Sequence, residues 1–156
     1  MTDEAPDTLP LHEAEFHKSE WPFYWITQTS SRYLQVLEAR LKPIGVDIAY
    51  WRVLMSLYED SALSVSEISN YCIIKPNTAT KIVQRMTAEG LVATGTRPTD
   101  GRVTEVFLTE KGHEMRRKAR AIADDVFAGA FADLSKEEKM ILNLLLQRVF
   151  NGLAED

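Results

Sequence analysis

The chain is poor in the residues that most enzyme chemistry is built from. One cysteine, three histidines and seven glycines are spread over 156 residues. A single cysteine, Cys72, excludes an internal disulfide and fits a reducing compartment. The glycines form neither a P-loop nor a dinucleotide-binding G-x-G-x-x-G, and no His, Cys, Asp or Glu set has metal-site spacing. No Ser/His/Asp set shares a local context, so neither an enzyme nor a cofactor is expected. Long apolar runs are missing too. The densest stretch, Met140 to Leu146, is broken by Asn143 and falls short of the ~20 residues that span a membrane. The acidic N-terminus has no basic-then-apolar signal pattern, so the expectation is a cytoplasmic protein with no membrane partner.

Positive charge is also scarce overall, with 18 Lys and Arg against 23 Asp and Glu and a net charge of −5. At first sight that argues against a nucleic-acid partner. The distribution points the other way. From Lys75 to Arg102 there are five basic residues against two acidic ones, a local +3 that leaves −8 on the rest. Binding responds to the local field, so a basic patch on an acidic body suffices. A merely solvated face would not explain why the basic residues cluster there.

That patch lies within Leu63–Leu108, which reads helix, turn, helix, hairpin. Ser64-Val65-Ser66-Glu67 is a capping box that starts a helix with Val65, Ile68 and Cys72 on one face. Pro76 suits the first position of the next helix, where a missing N–H costs nothing. Ala79, Ile82, Val83 and Met86 are its apolar stripe. The opposite side carries Asn77, Lys81, Gln84 and Ala88, flanked by Thr78, Thr80 and Arg85. Gly90 is expected as a left-handed stop. A hairpin follows, Val92 to Thr96 and Arg102 to Leu108, with Pro98 and Asp100-Gly101 supplying the turn and Arg97 and Arg102 bracketing it. The prediction is a mainly α fold with a small β-hairpin wing, a winged helix-turn-helix with dimerisation helices at both ends.

Side chains of this type, carried on a helix, pair with base edges and phosphates in a major groove. Asn77, Thr78, Lys81 and Gln84 are expected at bases. Lys75, Thr80 and Arg85 are expected to position the protein on phosphates, and Arg102, helped by Arg97, to reach a minor groove. Asp100 is read as orienting a wing arginine. The stretch "LSVSEISNYCIIKPNTATKIVQRMTAEGLV" followed by "RPTDGRVTEVFLTEKG" resembles the MarR family of bacterial transcription regulators, over roughly residues 22 to 150. Two positions depart from that family's pattern. Lys75 stands where the family usually has Ser, and Gly101 where its wing usually has an arginine.

Four regions are expected. Residues 1–18 read as a flexible acidic arm, 19–46 as an N-terminal dimerisation helix, 47–110 as the DNA-binding lobe, and 111–156 as C-terminal dimerisation helices. His12 and His17 in the arm lack cysteine partners and ordered spacing, so no metal is assigned. Pro22 opens a helix to Leu41, Asp47 caps the next, Thr109 caps the helix after the hairpin, and Ser135 begins a final capping box. The last helix is apolar almost all round, which implies a second subunit. Lys111, Arg116, Arg117, Lys118 and Arg120 crowd the helix before it; most are expected to be solvated.

Trp25 and Arg32 share one face of the first helix, and an aromatic beside a guanidinium suits an aromatic carboxylate. The competing reading packs Trp25 in a dimer core and pairs Arg32 with a carboxylate. The resemblance implies a small phenolic or aromatic effector bound between the first helices and the DNA-binding lobe, with Trp25, Arg32, Tyr50 and Trp51 as its contacts. The resemblance also raises redox sensing through cysteine, but Cys72 lies on an apolar face, where a thiol is usually inert. The expected function is a homodimeric repressor on a near-palindromic double-stranded operator, released by that effector. A regulator without a ligand, or one sensing redox through Cys72, remains an alternative. A winged helix that only binds proteins would show an apolar or acidic recognition face, and this face is neither.

Overall fold

Capping and punctuation residues place most of the elements. The computed structural model describes residues 16–153, and most of the arm, including His12, lies outside them. The elements are α1 (Pro22–Leu41), α2 (Ile48–Ser56), β1 (Ala62–Ser64), α3 (Val65–Cys72), α4 (Pro76–Ala88), β2 (Val92–Arg97), β3 (Asp100–Leu108), α5 (Glu110–Ala130) and α6 (Lys136–Gly152). Asp47 caps α2 by accepting from the Tyr50 amide, and Thr109 caps α5 by accepting from Gly112. Ser64 and Ser135 each form a complete capping box, with Glu67 and Glu138 reaching back to the cap amide. These contacts satisfy donors that every helix start leaves open. No helix among the described residues is long and apolar enough to cross a membrane.

The chain divides into two compact units whose boundary, between Gln35 and Val36, falls inside α1. In the first, a short 3-10 turn at Lys18–Glu20 precedes the helix. The Trp25 indole N–H donates to the Ser19 carbonyl at 2.8 Å, and Phe16, Trp21 and Phe23 meet edge to face.

The second unit is built on α2, α3 and α4, with the sheet against α3 and α4, and α5 against α2 and β3. Leu37, Leu41, Val53, Leu54, Ile68, Met86, Leu91 and Val106 are its buried centre, and Cys72 is buried in the same core. Burial raises the Cys72 thiol above its ordinary value, which favours the protonated thiol over the nucleophilic thiolate. Gly90 adopts φ +73, with Gly90 N–H on the Thr87 carbonyl and Leu91 N–H on that of Met86. This pair of hydrogen bonds is a Schellman closure, and it turns Leu91 into the core. Ile73 also lies in the left-handed region, at φ 53. A β-branched side chain is strained there; its place is set by its N–H on Asn70 and the Ile74 N–H on Ser69.

The sheet departs from the sequence expectation twice. It has three strands in the order β1-β3-β2, all antiparallel, with Leu63 opposite Val106. Three residues are too few to show a period of two, so only pairing with β3 defines β1. The turn also shifts. Arg97 pairs with Asp100, leaving Pro98-Thr99 as the connection, while Asp100 and Gly101 belong to β3. Gly101 is not left-handed, and a Cβ there would meet only Thr96 Cγ2 at 4.0 Å. The backbone therefore does not require glycine at this position.

Nothing in α6 is buried within the chain: Met140, Ile141, Leu144, Leu145 and Phe150 are each at least half exposed.

Candidate nucleic-acid interface

Burial of Ala79, Ile82, Val83 and Met86 orients α4. Its other face then exposes Asn77, Thr78, Lys81, Gln84 and Ala88, as the 100° rotation per residue predicts. Lys75 is the N-cap residue, in extended conformation, and makes no side-chain cap bond because an ammonium has no acceptor. Its charge is exposed beside the start of the helix. Among the described residues neither Lys75 nor Lys81 makes an ion pair.

The other residues expected at phosphates or in the wing are differently placed. Thr80 Oγ1 donates to the Pro76 carbonyl at 3.0 Å, although its lone pairs stay open. Arg85 Nη2 lies 2.6 Å from Asp47 Oδ2, and its Nε donates to the Tyr50 hydroxyl at 3.3 Å. Arg97 Nη2 contacts both Glu67 oxygens, at 3.0 and 2.8 Å, and its Nε is 3.4 Å from Glu105. It ties the turn end of β2 to α3 rather than standing free. Arg102 is the exposed arginine of the wing, its side chain 91% accessible. Asp100 holds it as expected, accepting from its backbone N–H, Nε and Nη2 at 3.1–3.2 Å.

These pairings redistribute the charge. Asp47, Glu67 and Glu105 all lie outside the stretch from Lys75 to Arg102, and each meets an arginine counted in the local +3. Among the described residues, Lys75 and Lys81 are therefore the cations of this stretch without a carboxylate partner, while Arg102 is exposed but held by Asp100. No local sequence signal reveals the partners, because Asp47 and Arg85 are 38 residues apart. On α5, Lys111, Arg116, Lys118 and Arg120 all have protein partners: the Glu89 carbonyl, the Leu57 carbonyl, Glu114 and Asp124.

Glu67 joins two tasks, closing the α3 capping box and pairing with Arg97. The Arg97 hydrogen bonds, followed by the Ser64 amide, hold its carboxyl below the ordinary value. A carboxyl depressed by folding contributes stability that is present above its unfolded pKa and lost as pH falls through the folded one. Melting temperatures are expected to drop as the pH falls from the ordinary glutamate range, near 4.5. Glu67→Gln should be less stable at neutral pH and show a flatter acid limb; an unchanged limb would remove Glu67 from the acid response.

The four ligand candidates fall in different units. Trp25 and Arg32 lie on the exposed surface of the first, Trp25 at 54% accessibility. Tyr50 and Trp51 are buried in the core of the second. The Tyr50 hydroxyl is engaged, donating to Glu89 Oε1 at 2.7 Å and accepting from Arg85.

Three helices, a sheet reaching into a wing, and a polar face on the second helix of a helix-turn-helix define a winged helix-turn-helix protein. Residues 44–103 match the model described as MarR family. The chain is 42% identical over 139 residues to the HTH-type transcriptional repressor IacR of Pseudomonas putida, covering 89% of this chain and 83% of that protein. It belongs to the MarR family, and it is a DNA-binding transcription repressor of the MarR type, not an enzyme. Two solved structures share the fold at 21% identity. BpsR of Bordetella bronchiseptica, described with regulation of its DNA binding by 6-hydroxynicotinic acid, has a TM-score of 0.75, covering 90% of this chain and 99% of that one. A cysteine-to-serine variant of MarR from E. coli, complexed with operator DNA, has a TM-score of 0.70 with coverages of 80% and 90%.

Proposed function

We propose that the protein acts in the cytoplasm as a homodimer that places two α4 helices in successive major grooves of a near-palindromic operator. The observation that carries this is the exposed face of α4, where Asn77, Thr78, Lys81 and Gln84 point away from a core that fixes the helix. Those four side chains read bases, Lys75 and Thr80 contact phosphates, and Arg102 enters a minor groove from the wing. The exposed apolar surface of α6 is the dimer contact.

Release from DNA by a small aromatic or phenolic ligand completes the reading. Such a ligand acts only through a difference in affinity between two spacings of the reading heads. Support comes from BpsR, a neighbour in fold whose DNA binding is regulated by an aromatic acid. Trp25 and Arg32 are the side chains proposed to meet the ring and carboxylate.

The test is a titration of duplex DNA from the region upstream of its own gene. Lys81→Ala and Gln84→Ala are each expected to weaken specific binding by roughly 1–3 kcal/mol for a lost base contact. Aromatic carboxylates are expected to release the wild-type complex. Wild-type protein that shows no preference for that duplex over random sequence would sink the operator assignment.

A further inference from the structure

Four polar groups converge where the recognition helix crosses the start of α2. Asp47 uses one oxygen, Oδ1, to cap α2 through the Tyr50 amide at 2.8 Å, and the other, Oδ2, to hold Arg85 Nη2 at 2.6 Å. The Arg85 guanidinium also lies over the Tyr50 ring, 4.7 Å from its centroid. Tyr50 is 2% exposed, and its hydroxyl bridges Arg85 Nε and Glu89 Oε1. Glu89 is the C-cap residue of α4, one turn beyond Arg85. The last turn of α4 is thus attached at two points to a single buried tyrosine and at one to a helix cap.

We propose that Arg85 is a positioning residue, a clamp between α4 and the N-terminus of α2 that sets the angle at which the recognition helix meets DNA. It acts on sequence discrimination rather than through a phosphate. The geometry explains why arginine is needed. One planar group must stack on Tyr50, bond its hydroxyl and reach Asp47 together, and lysine has neither the plane nor the fork. Base contacts from Lys81 and Gln84 are sensitive to helix angle because bidentate pairing demands direction, whereas attraction to phosphates does not. The clamp therefore strengthens the operator complex and leaves generic duplex binding nearly untouched. This rests on the DNA reading of the α4 face.

Three variants test it: Arg85→Lys, Arg85→Gln and Tyr50→Phe. Each is titrated against the operator and against random duplex over a salt series, with melting temperatures recorded. Arg85→Lys and Arg85→Gln are both expected to lose about tenfold in operator affinity, the scale of one charged hydrogen bond. Arg85→Lys should bind random duplex as wild type does. Tyr50→Phe, altered beneath the surface, should lose part of the same discrimination. The salt slope should stay at the wild-type value in Arg85→Lys and Tyr50→Phe. Full rescue by lysine, with a slope lower by about one per subunit in Arg85→Gln, would make Arg85 a phosphate contact and overturn the clamp. Equal losses on both duplexes that track melting temperature would overturn it as well, leaving fold stability only. Wild-type preference for the operator is measured in the same series, so failure of the DNA reading is separable from failure of the clamp.

Discussion

Replacing Gly112 with alanine is expected to destabilise the fold by more than about 3 kcal/mol, although alanine is the better helix former by roughly 1 kcal/mol. Gly112 is the third residue of α5, helical in backbone and buried. A Cβ there would collide with the carbonyl oxygen of Leu91 and come within 3.0 Å of its carbon and 3.1 Å of Leu108 Cδ2. The Leu91 carbonyl cannot swing aside, because it accepts the Thr109 amide at 3.1 Å while Thr109 Oγ1 bonds the Gly90 carbonyl. Glycine is therefore required for the first turn of α5 to rest on the backbone that leaves α4. Gly129, in the same helix, has nothing within 4 Å of its missing Cβ. Gly129→Ala should be neutral or gain up to about 1 kcal/mol from propensity alone. A thermal melt separates the two, since 3 kcal/mol lowers the midpoint by roughly 6–12 °C in a chain of this length. Similar midpoints for the two variants would refute the close approach at Gly112.

Charging the apolar surface of α6 should have the largest effect on DNA binding with little cost to the protomer. Ile141 and Leu145 lie one turn apart on one side, at 54% and 50% exposure. Exposed side chains contribute little to the protomer's own stability, so Ile141→Glu with Leu145→Glu should leave its helical circular dichroism intact. At a subunit interface the same two carboxylates would be desolvated without partners, and dimerisation should fail. Sedimentation should then report a monomer. Operator affinity should fall by about 10²–10⁴, the gain lost when two half-sites no longer bind together. A doubly substituted protein that still sediments as a dimer would move the subunit contact away from α6.

The helices were legible because their signals are local. Asp47, Ser64, Thr109 and Ser135 cap within three residues, Gly90 stops α4 by its own backbone freedom, and the α4 stripe repeats within two turns. The sheet was harder to read. β1 exists through a partner more than forty residues away, and the wing turn settled on Pro98-Thr99 because Arg97 pairs with Asp100. Among the site residues, exposure of Asn77, Thr78, Lys81 and Gln84 followed from helical rotation. The state of Arg85 and Arg97 did not, because their carboxylates arrive from α2, α3 and β3.

The winged helix-turn-helix, the exposed polar face of α4 and the glycine stop after it are thus written in the order of the residues. All three depend on periodicity, caps and backbone conformation that act within a few residues. Which cations stand free is a property of the folded molecule. An ion pair depends on where two distant segments meet, and a charge count along the chain carries no distance. The local +3 of the sequence accordingly resolves into Lys75 and Lys81 without ion pairs, Arg102 exposed but held by Asp100, and Arg85 and Arg97 turned to carboxylates from α2, α3 and β3.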